Sequence, residues 1–447
     1  MINDRIVALL RDFNPWWEDK EIGVPLYKRH IFSRVQKYLK TKQIIAIVGL
    51  RRVGKTVLMK QVIKELLKKG EKKENICYFL FDELLAQNPE VLEDVLNYYL
   101  KTISNKGRKY IFLDEIQKVP FWQDIVKRFY DTRNDLKFVV SGSASLQIKK
   151  SKESLAGRMF DFLMPVLTFR EFLEMNGLKL GKVRLEYNSI RKSYEDVLHK
   201  KVLLEQLFEQ YVFKGAFPEL ARESDEEIIK NYIKSSVIDK IIFEDIPVIF
   251  NVKRKDVLYS ILEYCSRETS RLLDITNLAK TLGANYQTTK SYLFYLKNAF
   301  VVDLVYNYSK STAKQLRKNK KVHIVHSSIS ITMARHTREV LSLNELMGRY
   351  VETTVFQHAK MLGEKVSFWR TPQKEEVDIV LEQTKILPIE VKYRSSVTDE
   401  DAKALLKFLN RFGSNRGIIV TRSRLNKRML DGKEILFIPV WLFLLAV

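Results

Sequence analysis

Apolar residues recur in two rhythms along this chain. Unbroken runs such as Ile44-Ile45-Ala46-Ile47-Val48, Ile76-Cys77-Tyr78-Phe79-Leu80-Phe81 and Lys109-Tyr110-Ile111-Phe112-Leu113 predict strands buried on both faces, as in a parallel sheet. Between them, residues 57–67 and 27–39 repeat apolar positions at helical spacing. Further strands are expected at 137–145 and 159–167. Ahead of all this, Asn14-Pro15-Trp16-Trp17 marks a turn carrying two large aromatics. An α/β core over residues 1–170 follows.

The rhythm then changes. Amphipathic helices at 198–213 and 226–243, joined by a turn at Gly215-Ala216-Phe217-Pro218, suit a helical lid over 171–245. In 246–315 the order is helix (257–265), helix capped by Asp274 (275–282), a turn at Gly283, helix (286–298) and strand (300–305). That is the order of a winged helix-turn-helix. Leu293 and Leu296 of its last helix are expected in the core, with Gln287, Thr288, Lys290 and Ser291 left for a groove. Residues 316–447 hold a helix from 345 to about 362 and strands at 376–381 and 387–392. The apolar stretch 435–447 contains Pro439 and is shorter than the ~20 residues needed to span a bilayer, so it reads as buried strand.

Length and charge refine the picture. A chain of 447 residues suggests about three domains of ~150 residues. With 46% hydrophobic residues it is not a disordered composition. A net charge of +23 points to a polyanionic partner, nucleic acid before membrane, or else to a solvated lysine-rich surface. Lys310, Lys314, Arg317, Lys318, Lys320 and Lys321 form a basic run with no intervening acid, which phosphate contact or a solvated loop would explain equally. Cys77 and Cys265 are far apart in apolar contexts, which supports neither a disulfide framework nor a zinc site and fits a reducing, cytoplasmic compartment.

The sharpest chemistry lies between the first strand and its helix. Gly49-Leu50-Arg51-Arg52-Val53-Gly54-Lys55-Thr56 satisfies G-x-x-x-x-G-K-[ST], the phosphate loop of nucleotide-binding proteins, with Val57 opening the helix behind it. Glycines let backbone N–H groups close on phosphates, and the helix N-terminus adds partial positive charge. Lys55 is expected on the β- and γ-phosphates of ATP and Thr56 on Mg²⁺. The apolar run ending in Asp114-Glu115 places one carboxylate to hold Mg²⁺ through water and the next to polarise an attacking water. Ser141 or Ser143 could sense the γ-phosphate, though serine and glycine also favour plain turns. Arg158 stands in the chain where an arginine finger could come from, in cis or from a neighbouring copy in a homo-oligomer. Pro25, Leu26 and Tyr27 are either an adenine platform or ordinary packing.

The run 49–56, the box Leu113-Asp114-Glu115-Ile116-Gln117, Ser141-Gly142-Ser143 and Leu155-Ala156-Gly157-Arg158 resemble the archaeal and bacterial AAA-type ATPases whose C-terminal half is a DUF4143 or related nuclease-like region. Thr168-Phe169-Arg170-Glu171-Phe172-Leu173 and Gly215-Ala216-Phe217-Pro218-Glu219 extend that likeness. In the last 130 residues, Glu390 and Lys392 share one face of a strand, and a hairpin would bring Asp378 beside them. This resembles the PD-(D/E)XK nuclease core, which implies Asp378 and Glu390 as metal ligands, Lys392 orienting water and Glu352 as the helix glutamate. The chain departs from that pattern at Val322-His323-Ile324-Val325-His326-Ser327, where an aspartate-containing turn is usual. His323 and His326 there are either metal ligands or structural.

The resemblance therefore implies an α/β protein: an AAA-type P-loop core, a helical lid, a winged helix-turn-helix and a PD-(D/E)XK-like C-terminal domain. Its cofactors would be ATP and Mg²⁺. Two function classes remain open: an ATPase that binds or remodels DNA through Gln287 and Lys290, with or without DNA cleavage, and an ATP-dependent assembly switch whose nuclease-like domain docks a protein. A small-molecule kinase fits less well, since Glu115 suits water activation and no acceptor pocket is legible. No membrane role is expected.

Overall fold

The structure, a computed structural model, describes residues 4–81, 90–142, 155–362, 365–383 and 385–447. They form two compact units, Met1–Pro165 with Asp245–Asn251, and Val166–Glu244 with Val252–Val447. These units cut across the four expected stretches. Residues 171–244 fall with the C-terminal half, and 245–251 fall with the phosphate-loop half. Among the described residues no helix is long and apolar enough to cross a membrane.

The first unit is built on β1 (Ile44–Val48), β2 (Ile76–Leu80), β3 (Lys109–Asp114), β4 (Leu136–Gly142) and β5 (Met159–Leu163). All pair in parallel in the order β2-β3-β4-β1-β5. β1 and β3 are buried along their whole length, as unbroken apolar runs require. The fifth strand ends earlier than expected, at Leu163; the Met164 N–H makes a last bond to the Val48 carbonyl (2.7 Å). Strand β4 separates β1 from β3, so a side chain at its C-terminal end stands between the phosphate loop and Asp114. At the outer edge, β2 would present unpaired backbone groups to solvent. Asn14 prevents this: its Oδ1 accepts from the Tyr78 N–H (2.7 Å) and its Nδ2 donates to the Tyr78 carbonyl (2.8 Å). The indoles of Trp16 and Trp17 both donate to the Ile76 carbonyl. The aromatic turn read from the sequence is thus an edge cover.

In the second unit, helices Lys255–Arg267, Ile275–Thr281 and Tyr286–Asn298 accompany a three-stranded sheet of β6 (Leu272–Leu273), β7 (Val302–Val305) and β8 (Lys320–Ile324), ordered β6-β8-β7. Asp274 caps its helix through the Asn277 N–H, and Asn285 caps the next through Thr288. Leu293 and Leu296 are buried. Strand β8 lies past the boundary expected at 315, so this substructure runs to Ile324.

The remaining sheet has six strands, β9 (Lys365–Arg370), β10 (Glu376–Glu382), β11 (Leu387–Lys392), β12 (Arg416–Thr421), β13 (Asn426–Leu430) and β14 (Lys433–Pro439), in the order β13-β14-β12-β11-β10-β9. Helix Lys403–Phe412 lays Leu405, Phe408 and Leu409 on Val377, Val380, Ile419 and Phe437. Helix Asn344–Ala359 packs against β10 and β11. The stretch expected as one terminal strand divides at Pro439: β14 ends there and Val440–Leu445 is a helix, buried on every side. A short run that is apolar all round carries no period, so strand and buried helix look alike in sequence.

Candidate nucleotide site and a second carboxylate cluster

The phosphate loop leaves β1 through backbone conformations that favour glycine. Gly49 has φ 156° and Gly54 has φ 100°, with Arg52 also left-handed at 66°. A Cβ on Gly49 would fall 2.3 Å from the Met164 carbonyl oxygen, so a side chain there is excluded. Leu50 and Val53 are buried beneath the loop. Lys55 and Thr56 open helix Lys55–Lys68, followed by Val57. The Lys55 ammonium donates to the carbonyls of Gly49 (3.2 Å) and Leu50 (3.0 Å), inside the curve the loop makes.

Asp114, fully buried at the C-terminal end of β3, gathers neutral donors. Its Oδ2 accepts from Thr56 Oγ1 (2.6 Å) and Tyr78 Oη (2.8 Å), and its Oδ1 from Ser141 Oγ and the Glu115 N–H (3.1 Å). Hydroxyl and carboxylate oxygens so disposed are the hard donors that Mg²⁺ prefers, and Thr56 and Asp114 fit as the residues that would hold it. Glu115 follows at φ 52°, with Oε2 accepting from Gln117 Nε2 at 2.5 Å. Burial pushes its carboxyl up, but Lys55, Gln117, Lys118 and Arg51 together hold it below its ordinary range. It is therefore a carboxylate at neutral pH, able to accept a proton. Ser141 reaches this cluster from β4; Ser143 lies outside the described residues.

Other residues complete the site without any motif to announce them. Arg29, buried ahead of β1, donates to the carbonyls of Val53 and Pro165, both at 2.9 Å, and so pins the back of the loop. Arg51 makes a two-bond pair with Asp245 (2.9 and 3.2 Å), and burial still raises the Asp245 carboxyl above its ordinary value. Gln61 Nε2 donates to the carbonyls of Pro25 and Tyr27, fixing that segment on the helix behind the loop, while Leu26 is 94% exposed.

Arg158 requires a correction. It precedes β5, and its carbonyl accepts from the N–H of Ile44, the first residue of β1. Parallel strands start at one end of a sheet, and the phosphate loop leaves from the other, roughly 15 Å away at ~3.3 Å per residue. Its guanidinium instead makes a two-bond pair with Asp131 (2.8 and 3.1 Å). Within one chain that pair keeps it away from the phosphate loop.

In the second unit the expected nuclease-like residues do converge. The antiparallel register Ile379↔Ile389 puts Asp378 opposite Glu390, and the β9 pairing shifts register between Val377 and Val380. Asp378 Oδ2 accepts from the Val391 N–H (2.9 Å), and Lys392 pairs with Glu390 Oε1 at 2.6 Å. The unexpected member is Lys321. Its ammonium, at 3% side-chain exposure, lies 2.6 Å from Glu352, 2.5 Å from Glu376 and 3.4 Å from Asp378. Burial lowers the lysine's pKa, but three carboxylates outweigh it and keep it charged. Burial and Asp378 push Glu352 and Glu390 up to about 8 each. A divalent ion would have to share this space with a buried ammonium, which is incompatible with the cluster as built. Among the described residues no group of three or more histidine, cysteine, aspartate or glutamate side chains is arranged to hold a metal. The donor set therefore does not fit the metal that the nuclease resemblance implied.

His323 is buried, stacked on Phe356 at 4.2 Å, and shares a hydrogen bond with Thr353 Oγ1 (3.2 Å). His326 Nδ1 accepts from the Ser328 N–H and caps the helix that follows. Both are structural. On helix Tyr286–Asn298, Gln287 and Lys290 are exposed, with Lys297 on the same face. Burial, together with Lys290 and Lys297, lowers the pKa of Lys320 on β8, which marks a crowded cationic surface.

Comparison with known proteins gives three matches along the chain. Residues 41–173 match the model of an AAA domain, 205–340 a domain of unknown function, DUF8612, and 347–443 another, DUF4143. An uncharacterised protein of Haemophilus influenzae is 24% identical over 93% of this chain and 98% of its own length. One of Methanocaldococcus jannaschii is 26% identical over 93% of this chain and 88% of its own. The Aeropyrum pernix ORC1 protein in complex with DNA covers 70% of this chain and 94% of its own at 13% identity, with a TM-score of 0.30, too low to weigh on the fold.

Proposed function

We propose, on the premise of an AAA domain at residues 41–173 and a DUF4143 region at 347–443, that this chain hydrolyses ATP and couples nucleotide state to nucleic-acid binding. The observation that carries the first half is the joint placement of Thr56, Asp114, Ser141 and Glu115 at the mouth of the Gly49–Thr56 loop. Lys55 would turn from the loop carbonyls to the β- and γ-phosphates. Bound Mg²⁺ would neutralise charge developing on the phosphates, next to Thr56 and Asp114. Glu115, ionised at neutral pH, would accept a proton from water once Gln117 releases it. Arg158 enters this reading only as a contribution to a neighbouring copy's site.

The second half rests on the exposed Gln287, Lys290 and Lys297 beside Lys320, on a helix–strand arrangement read as a winged helix running to Ile324. Residues 171–245 are read as the helical lid. Metal-dependent cleavage at Asp378 and Glu390 is not part of this proposal, because an ammonium already sits on each, Lys321 on Asp378 and Lys392 on Glu390. ATP hydrolysis measured with and without duplex DNA tests the whole. Hydrolysis that is lost in Glu115→Gln, together with DNA affinity that falls steeply with salt and is weakened in Gln287→Ala/Lys290→Glu, is the expected outcome. Hydrolysis unaffected by Glu115→Gln would refute the first half, and salt-independent or absent DNA binding the second.

A further inference from the structure

Beside β9, the chain linking β7 to β8 folds over a cavity of about 510 Å³ that the function above does not use. Its floor is aromatic: Tyr308 and Trp369 meet the Phe412 ring edge-on at 4.9 and 6.3 Å, and Phe412 remains half-exposed. Its rim is cationic: Lys310, Lys314, Arg370 and Arg411 all line it, and among the described residues no carboxylate does. Glu376 neutralises Arg370 at 2.7 Å, whereas among the described residues Lys310, Lys314 and Arg411 have no carboxylate partner. Lys318 joins the rim, its ammonium 3.4 Å from the Arg370 carbonyl oxygen. Two residues on, Lys320 belongs to the cationic surface it shares with Lys290 and Lys297. Positive charge therefore runs from the exposed face of helix Tyr286–Asn298 to the cavity mouth.

Like charges gathered round a concave apolar floor repel one another unless an anion joins them. The volume lies within the ~300–1,000 Å³ range of ligand pockets and suits one nucleotide unit rather than a folded partner. A duplex keeps its bases stacked inside and offers the floor nothing, whereas a single strand can lay a base on Phe412 with flanking phosphates on the lysines. We propose that this cavity binds one unit of a single-stranded nucleic acid, base on the aromatic floor and phosphates on Lys310 and Lys314. The proposal takes its ligand class from the nucleic-acid reading above and adds to it a distinct surface and strand preference.

The test is anisotropy of a labelled oligothymidine and a labelled duplex with the full chain and two variants, Lys310→Glu/Lys314→Glu and Gln287→Ala/Lys290→Glu. Both pairs are exposed, and a parent-like circular-dichroism spectrum and melting temperature verify that each variant is folded. The first pair should weaken oligothymidine binding at least about tenfold and reduce its log–log salt slope by about 1.4, at ~0.7 per phosphate. It should leave duplex binding within about twofold. Phe412→Leu, which keeps the apolar volume, should weaken oligothymidine without changing that slope. Oligothymidine affinity unchanged in the lysine pair overturns the cavity proposal, while duplex binding that still depends on Lys290 leaves the earlier reading standing. Loss confined to the lysine pair, with duplex binding indifferent to Lys290, supports the cavity and refutes the helix surface. Absence of binding to either probe at low salt overturns both.

Discussion

Asp114 and Asp378 are both carboxylates on strands of α/β sheets, and the sequence offers both as metal ligands. Their partners differ in kind. Around Asp114 every donor is neutral: two hydroxyls, a phenol and a backbone N–H orient the carboxylate without cancelling its charge. Around Asp378, Glu376 and Glu352 the shared partner is an ammonium, that of Lys321. Neutral donors pre-organise a site and leave it attractive to a cation, whereas a buried ammonium completes it. The distinction separates a carboxylate that awaits an ion from one that already has its counter-charge.

The sharpest way to break the comparison is to remove the chemistry at the first site. Lys55→Ala should abolish turnover and weaken ATP binding, and Glu115→Gln should keep binding while lowering turnover about 10²–10³-fold or more; a radiometric phosphate-release assay beside nucleotide titration checks both. Parent-rate turnover in Glu115→Gln would remove the contrast. At the second site, Lys321→Met should cost about 3–5 kcal/mol, because three mostly buried carboxyl groups then lose the ammonium they share. Thermal melts should show that loss. On an Asp114→Asn background, which silences the first site, added Mn²⁺ should restore part of it in Lys321→Met and leave the chain that keeps Lys321 unmoved. A melt raised by Mn²⁺ on that background with Lys321 in place would mean that the cluster holds metal as it stands.

A gentler probe uses pH. Glu352 and Glu390 have folded-state pKa values of about 8, above the ordinary carboxylate value of 4.5, so the folded chain binds more protons than the unfolded one between those limits. Their contribution to stability is complete below pH 4.5 and is lost as pH rises through 8. Glu390→Gln, whose Oε2 position has no hydrogen-bond partner to forfeit, should flatten the fall in melting temperature from pH 5 to 9. An unchanged slope would place the titration elsewhere. The smallest effect is expected at Arg158→Ala, which breaks a solvent-screened pair with Asp131. Turnover of isolated monomers should not change, and a defect appearing only at concentrations where copies associate would mark a role in trans.

The sequence made the first site legible because its chemistry is contiguous. Loop, helix and the Asp114-Glu115 strand end each carry a local signature, and local signatures survive without knowledge of the fold. Arg158 was legible in type but not in place: a parallel strand must begin at the end opposite the phosphate loop, a constraint visible only once Met159–Leu163 is known to pair with β1. Lys321 was hidden by its neighbours. It closes a run of basic residues that reads as one exposed stretch, yet strand alternation turns Lys320 outward and Lys321 inward. Arg29 and Asp245 carry no motif; only tertiary pairing brings them to the loop. The carboxylate hairpin was recoverable from spacing, whereas the identity of its counter-ion was not.

The edge cover on β2 bears on the order in which the molecule is made. Asn14 and Trp16 precede the backbone they protect by 64 and 60 residues, so a ribosome delivers the lid before the strand. The outer face of that strand can be closed as soon as it forms, with no interval in which a nascent neighbour could pair with it. A chain started after Trp17 would carry every residue of the nucleotide site and still expose a naked strand edge during synthesis. Its yield as soluble protein would then be limited by aggregation rather than by the strength of its core.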